Sequence, residues 1–87
     1  MNVILSPRAF DQLESITHLN EKLARIIKAH LEQLPFRYPL DKQLKGPHFS
    51  GRRSHRVGDY RIVYTVEHGR LIITIITIVH RREVYEN

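Results

Sequence analysis

Arg52, Arg53, Arg56 and Arg61 crowd one short stretch of the chain, and His80, Arg81, Arg82 and Tyr85 crowd another. Between Lys42 and Arg61, the cations Lys42, Lys45, Arg52, Arg53, Arg56 and Arg61 stand against Asp59 alone. Guanidinium groups stay cationic and match phosphate oxygens in a two-pronged fork, so the cluster is suited to a phosphate-bearing partner. Gly58-Asp59 sits inside it as a two-residue hairpin signal, glycine supplying the positive φ of the first turn position. With that turn, Val57 faces Tyr60, Arg56 faces Arg61, His55 faces Ile62, Ser54 faces Val63 and Arg52 faces Thr65. Alternation then puts Tyr60, Ile62, Tyr64 and Val66 on one face, for burial. Arg52, Ser54, Arg56, Arg61 and Thr65 fall on the other. Directly opposed like charges such as Arg56 and Arg61 destabilise a sheet unless an anion lies between them, so the pair reads as half of a phosphate site.

The elements that must hold this hairpin are legible in outline. Asn2 to Leu5 is a short apolar run that reads as an edge strand. Ser6-Pro7 starts a helix, since Ser caps and Pro is tolerated at the first helical position. Phe10, Leu13 and Ile16 continue that helix to about His18. Asn20 caps a second helix whose stripe is Leu23, Ile26, Ile27, Leu31 and Leu34, ending at Leu34-Pro35. A loop is expected over 36–50, with Leu44-Lys45-Gly46 as its ordered piece. Three strands follow: Arg52 to Val57, Tyr60 to Val66 and Leu71 to Val79. A two-residue His68-Gly69 turn would pair Tyr64 with Ile73 and Val63 with Thr74, putting Ile72, Thr74, Ile76, Ile78 and His80 on Arg61's face; a three-residue turn with a bulge would flip this. The last strand is apolar on both faces, which makes it central, with the N-terminal strand as its second neighbour. The expectation is one α+β domain over residues 1–87, a four-stranded sheet with both helices on one face.

Composition narrows the class. The 87 residues suffice for one core. The chain has no cysteine, which removes disulfides and thiolate metal sites and suits a reducing cytoplasm. Nothing at the N-terminus reads as a signal peptide, and the longest apolar run is too short to span a bilayer, so no membrane partner is expected. A net charge of +5 and a sequence pI near 10.0 call for an anionic partner. His18, His30, His48, His55 and His68 lack ligand spacing, so no metal is expected.

The order of elements, with Leu44-Lys45-Gly46, Arg56-Val57-Gly58-Asp59-Tyr60-Arg61-Ile62-Val63-Tyr64 and His80-Arg81-Arg82-Glu83-Val84-Tyr85, resembles the RelE/ParE superfamily of toxin-antitoxin toxins. The resemblance covers nearly the whole chain. It implies one of two activities: RelE-like members are ribosome-dependent endoribonucleases that cut mRNA, and ParE-like members inhibit DNA gyrase without that chemistry. It also implies a cognate antitoxin, through which the complex would bind operator DNA, and no cofactor. RelE-like toxins place a basic residue after the last strand and a Tyr near the C-terminus, where this chain has His80, Arg81 and Tyr85. They commonly carry two basic residues at alternate positions before the turn, where this chain has Arg52 and then Ser54.

Metal-free RNA cleavage requires the 2′-hydroxyl to lose a proton, the phosphorane's charge to be met and the 5′-oxygen to gain a proton. Carboxylates are scarce on the basic face, so no magnesium site is expected there. Arg61 and Arg56 are therefore the expected charge stabilisers. Lys45, Arg52, Arg53, Arg81 and Arg82 are expected to hold the substrate backbone. His80, kept neutral by Arg81 and Arg82, is expected to move protons, and Tyr85 to stack on a base or carry a proton. The plainer alternatives are an Arg61–Asp59 ion pair, His80 as a polar strand end, solvated Arg81 and Arg82, and Tyr60 and Tyr64 as core. A gyrase inhibitor and a nucleic-acid-binding domain without activity are the competing functions.

Overall fold

Two capped helices follow a short N-terminal strand. In α1 (Pro7–Leu19) the Ser6 Oγ accepts from the Ala9 N–H at 3.0 Å, and Pro7 opens the helix. In α2 (Glu21–Arg37) the Asn20 Oδ1 accepts from the Leu23 N–H at 3.1 Å. The computed structural model describes residues 1–44 and 51–82. The second helix runs past the expected stop at Pro35. Pro35 has no N–H for the Leu31 carbonyl, but it lies in the last turn, Leu34 is fully buried, and the Tyr38 N–H bonds the Leu34 carbonyl at 2.9 Å.

The strands are β1 (Asn2–Leu5), β2 (Lys42–Gln43), β3 (Arg52–Val57), β4 (Tyr60–Glu67) and β5 (Ile72–His80). They form one sheet in the order β1-β5-β4-β3-β2, with β1 parallel to β5 and the other pairs antiparallel. Among the described residues the sheet therefore has five strands where four are expected. The extra one, β2, lies in the expected loop, and two residues are too few to show a strand period. Ala9, Leu13, Ile16, Ala24, Ile27, Leu31 and Leu34 of the helices pack on Val57, Ile62, Tyr64, Ile73, Ile75 and Ile78 of the sheet. No helix that packs on the opposite face of the sheet is found among the described residues.

The β3–β4 hairpin has the expected register throughout, from Val57 opposite Tyr60 to Arg52 opposite Thr65, and Gly58 takes φ 59° at its turn. The β4–β5 register differs. Its loop spans four residues, 68–71, with Leu71 at φ 55°, so Glu67 faces Ile72 and Tyr64 faces Ile75 rather than Ile73. Ile72 and Thr74 still share the face of Val63 and Thr65. A bulge then leaves Ile76 unpaired, Val63 faces Thr77 instead of Thr74, and the two faces of β5 exchange. Ile78 turns into the core, Val79 lies opposite Arg61 and His80 lies opposite Tyr60. The expectation that Ile78 and His80 share Arg61's face is corrected by this bulge. Helix α1 holds the irregularity in place: the Ser6 hydroxyl donates to the Ile76 carbonyl at 2.8 Å, and Gln12 Oε1 accepts from the Ile78 N–H at 2.7 Å and the Thr77 hydroxyl at 3.0 Å.

Candidate anion-binding site

A cavity of about 150 Å³ opens at the turn end of the β3–β4 hairpin, lined by Arg56, Gly58, Asp59, Tyr60, Arg61 and Arg81. The guanidinium groups of Arg56 and Arg61 are each held by a neutral oxygen. Arg61 Nη1 donates to Ser54 Oγ at 3.3 Å, and Arg56 Nε donates to the Gly58 carbonyl at 2.9 Å. The Arg81 backbone N–H donates to the Asp59 carbonyl at 2.6 Å, which draws the end of β5 to the hairpin turn. Its guanidinium lies 3.9 Å from Asp59 Oδ1, with both side chains more than half exposed, so that pair neutralises little. Among the described residues, no carboxylate lies within ion-pairing distance of Arg56 or Arg61. Arg56 and Arg61 thus present guanidinium edges with unspent donors to the cavity, which suits a tetrahedral oxyanion.

The other expected site residues divide. Arg52 shares Arg61's face, opposite Thr65, toward the far end of β3 from the cavity. Arg53 does not: it faces the helices, where its guanidinium donates to the Asp41 carbonyl at 3.1 Å and lies 5.7 Å above the Tyr38 ring, so its position is that of a structural cation. His80 packs edge-on against Tyr60, ring centroids 5.2 Å apart, and its Nδ1 accepts from the Arg82 N–H at 3.3 Å. Tyr60 is among the residues that line the cavity and His80 is not, and the register puts His80 on the face of Tyr60 rather than that of Arg61. Arg82 is exposed just after β5. Lys45 and Tyr85 lie outside the described residues.

Two features escape a reading of the sequence alone. Lys42 pairs with Ser54 across β2 and β3, which puts it, exposed, on the same face as Arg56 and Arg61. Its charge is visible in the sequence; its strand is not. On the helix side, His30, Asp41, His55 and Tyr64 form a hydrogen-bonded chain from residues far apart in sequence. The Tyr64 hydroxyl donates to Asp41 Oδ2, His55 Nδ1 lies 3.0 Å from Asp41 Oδ1, and His55 Nε2 lies 2.9 Å from His30 Nδ1. Burial, joined by the hydrogen bond and charge of Asp41, pushes the Tyr64 hydroxyl far up, so it remains a donor. Burial, joined by the charges of His55 and Arg37, lowers the pKa of His30 from its ordinary value. Tyr64 is core, as the alternation implies, but its hydroxyl also has a partner.

A family model described as ParE toxin of type II toxin-antitoxin system, parDE, matches residues 3–85. The chain belongs to this toxin family. Solved structures agree on the fold. A YoeB/ParE toxin from Agrobacterium tumefaciens superposes with a TM-score of 0.77 at 20% identity, over 92% of this chain and 98% of that one. The YoeB-YefM complex from Staphylococcus aureus gives 0.74 at 26% identity, over 92% and 95%. The toxin-antitoxin complex RelBE2 from Mycobacterium tuberculosis gives 0.72 at 24%, over 92% and 90%. No curated protein matches the chain in sequence. This type II toxin therefore has the YoeB/ParE/RelE fold, and no helix among its described residues is long and apolar enough to cross a membrane.

Proposed function

We propose that this toxin is a metal-independent endoribonuclease that cuts mRNA positioned on the ribosome, by attack of a 2′-hydroxyl on the adjacent phosphate. The observation that carries the reading is the cavity in which Arg61, Arg56 and Arg81 converge with no carboxylate bound to Arg56 or Arg61 among the described residues. Arg61, half-buried and steadied by Ser54, would meet the charge that develops on the phosphorane; Arg56 and Arg81 would grip the non-bridging oxygens. Arg52, Lys45 and Arg82 would follow the RNA backbone. Arg53, tied to Asp41 and Tyr38, is given no substrate contact. Proton transfer is assigned to Tyr85 first and His80 second, because the His80 ring must leave Tyr60 and turn round the strand end to reach Arg61's side. Relatives crystallised as YoeB-YefM and RelBE2 complexes support a cognate antitoxin as protein partner, and the basic face offers it an electrostatic target. Operator DNA would be reached through that antitoxin.

Mapping transcript 5′ ends after brief induction tests the reading. Wild type is expected to create new internal ends, and Arg61→Ala to reduce cutting by about 100- to 1,000-fold while the circular dichroism spectrum is unchanged. The second reading, a gyrase inhibitor acting through protein contacts, is favoured by the ParE description of the matching family and by the placement of His80 away from Arg61. It expects intact transcripts and a DNA-damage response, a pattern that would overturn the nuclease.

A further inference from the structure

The chain His30–His55–Asp41–Tyr64 lies on the side of the sheet opposite the cavity, yet its acidic member immediately precedes the strand that carries Lys42. A two-residue strand at a sheet edge has little stability of its own. What is seen to hold β2 is its ladder to β3, continued by the Leu44 N–H bonded to the Arg52 carbonyl at 2.8 Å, and the grip on Asp41. That grip is dense. The carboxylate takes the Tyr64 hydroxyl and the His55 Nδ1, its backbone carbonyl takes Arg53, and the side chains of Asp41 and His55 are 9% and 8% exposed. The donors come from β3 and β4, and His30 ties His55 to α2. A carboxylate so enclosed cannot move without leaving two donors unmatched, and moving the whole residue would strand a third.

We propose that Asp41 is a positioning residue: by fixing the start of β2 it holds Lys42 on the arginine face, where Lys42 makes a phosphate contact outside the cavity. The assignment of Lys42 rests on the anion-binding reading above; the anchoring of β2 does not. Facing the carboxylate are Tyr64 from β4, His55 and Arg53 from β3, and His30 from α2 through His55. The structure thus links a buried polar chain on one side of the sheet to a surface cation on the other through one peptide unit.

Tyr64→Phe removes one donor and keeps the ring in the core; Asp41→Asn keeps the shape and removes the charge. In both, amide exchange at Leu44 is expected to accelerate by about ten- to a hundredfold, while amides of the β3–β4 hairpin near Gly58 are unchanged. Unchanged exchange at Leu44 in both variants would overturn the anchor. A short single-stranded RNA oligonucleotide then reads the second half. Tyr64→Phe should weaken its binding several-fold in the wild-type background and leave it unchanged in a Lys42→Met background, as a double-mutant cycle requires if one residue acts through the other. Equal losses in both backgrounds would overturn the role of Lys42. Wild-type protein with no affinity for the oligonucleotide would overturn it together with the anion reading, and the exchange result would still decide the anchor.

Discussion

Arg56 and Arg61 oppose each other across β3 and β4, and among the described residues neither forms an ion pair with a carboxylate. Opposed like charges in an antiparallel pair cost up to about 1 kcal/mol, a strain on the hairpin that a phosphate bound as proposed would relieve. Replacing one of the two should therefore separate stability from activity. Arg56→Gln is expected to raise the urea midpoint, by up to about 1 kcal/mol in low salt, with the gain shrinking as salt screens the pair. The same change should lower RNA cleavage by about a hundredfold, because a charged donor to the phosphate is lost. Stability that fell along with activity would mean that Arg56 matters through its bond to the Gly58 carbonyl rather than through its charge. Ser54 gives the residue scale its other lesson. Its hydroxyl beside Arg61 steadies the guanidinium without adding to the repulsion.

At the scale of elements, the bulge in β5 decides which face His80 occupies, and α1 decides the bulge. Gln12 Oε1 satisfies the Ile78 N–H and the Thr77 hydroxyl just where β1 stops pairing with β5 at Leu5. Gln12→Leu would leave that buried-side N–H unmatched, at a cost of about 1–3 kcal/mol in urea unfolding. Shape rather than hydrogen bonding would be the cause if Gln12→Glu, which retains the acceptor, lost as much. These non-local supports explain what the sequence concealed. The Gly58-Asp59 turn is fixed by two adjacent residues, so its register and faces follow from a period of two alone. The β4–β5 loop closes on Leu71 at positive φ, against that residue's preference, and its bulge depends on Ser6 and Gln12 some 65 to 70 positions away. The caps Ser6 and Asn20 were legible for the local reason; β2 and the Asp41 chain were not, because no local pattern announces them.

The contact between α2 and β3 also carries a pH dependence. His30 and His55 share one proton between Nδ1 and Nε2, so charging both rings fully sets N–H against N–H. The pKa of His30 is lowered by burial and by the charges of His55 and Arg37; Asp41 and Tyr64 lie beyond His55. A group with a depressed folded pKa that is neutral when deprotonated binds its proton more readily in the unfolded chain. Its contribution to stability is therefore complete above the ordinary histidine value of about 6.5 and is lost as pH falls below it. Urea midpoints of wild type should fall between pH 7.5 and pH 5 more steeply than those of His30→Gln. Parallel curves would place the acid sensitivity elsewhere.

For the whole molecule, the sidedness of charge discriminates between the functions. One side of the sheet is closed by the helices, and the other displays Lys42, Arg52, Arg56 and Arg61, with Arg81 at the cavity's edge. The net charge of the chain is +5, and these five cations stand on strands or at a cavity that no helix among the described residues covers. Such a face attracts any polyanion at long range, so affinity alone separates nothing; the number of ions released on binding does. Each phosphate neutralised on a single strand contributes about −0.7 to the slope of log affinity against log salt. If the cavity arginines together meet one phosphate and Lys42, Lys45, Arg52 and Arg82 each meet another, the slope for a short single-stranded RNA should be about −3.5, and Lys42→Met should make it shallower by about 0.7. A slope near −1 would mean that only one phosphate is held, too few for a strand gripped on both sides of a scissile bond. In that case the basic face would serve to meet an acidic protein surface, and the gyrase reading would take precedence over the nuclease.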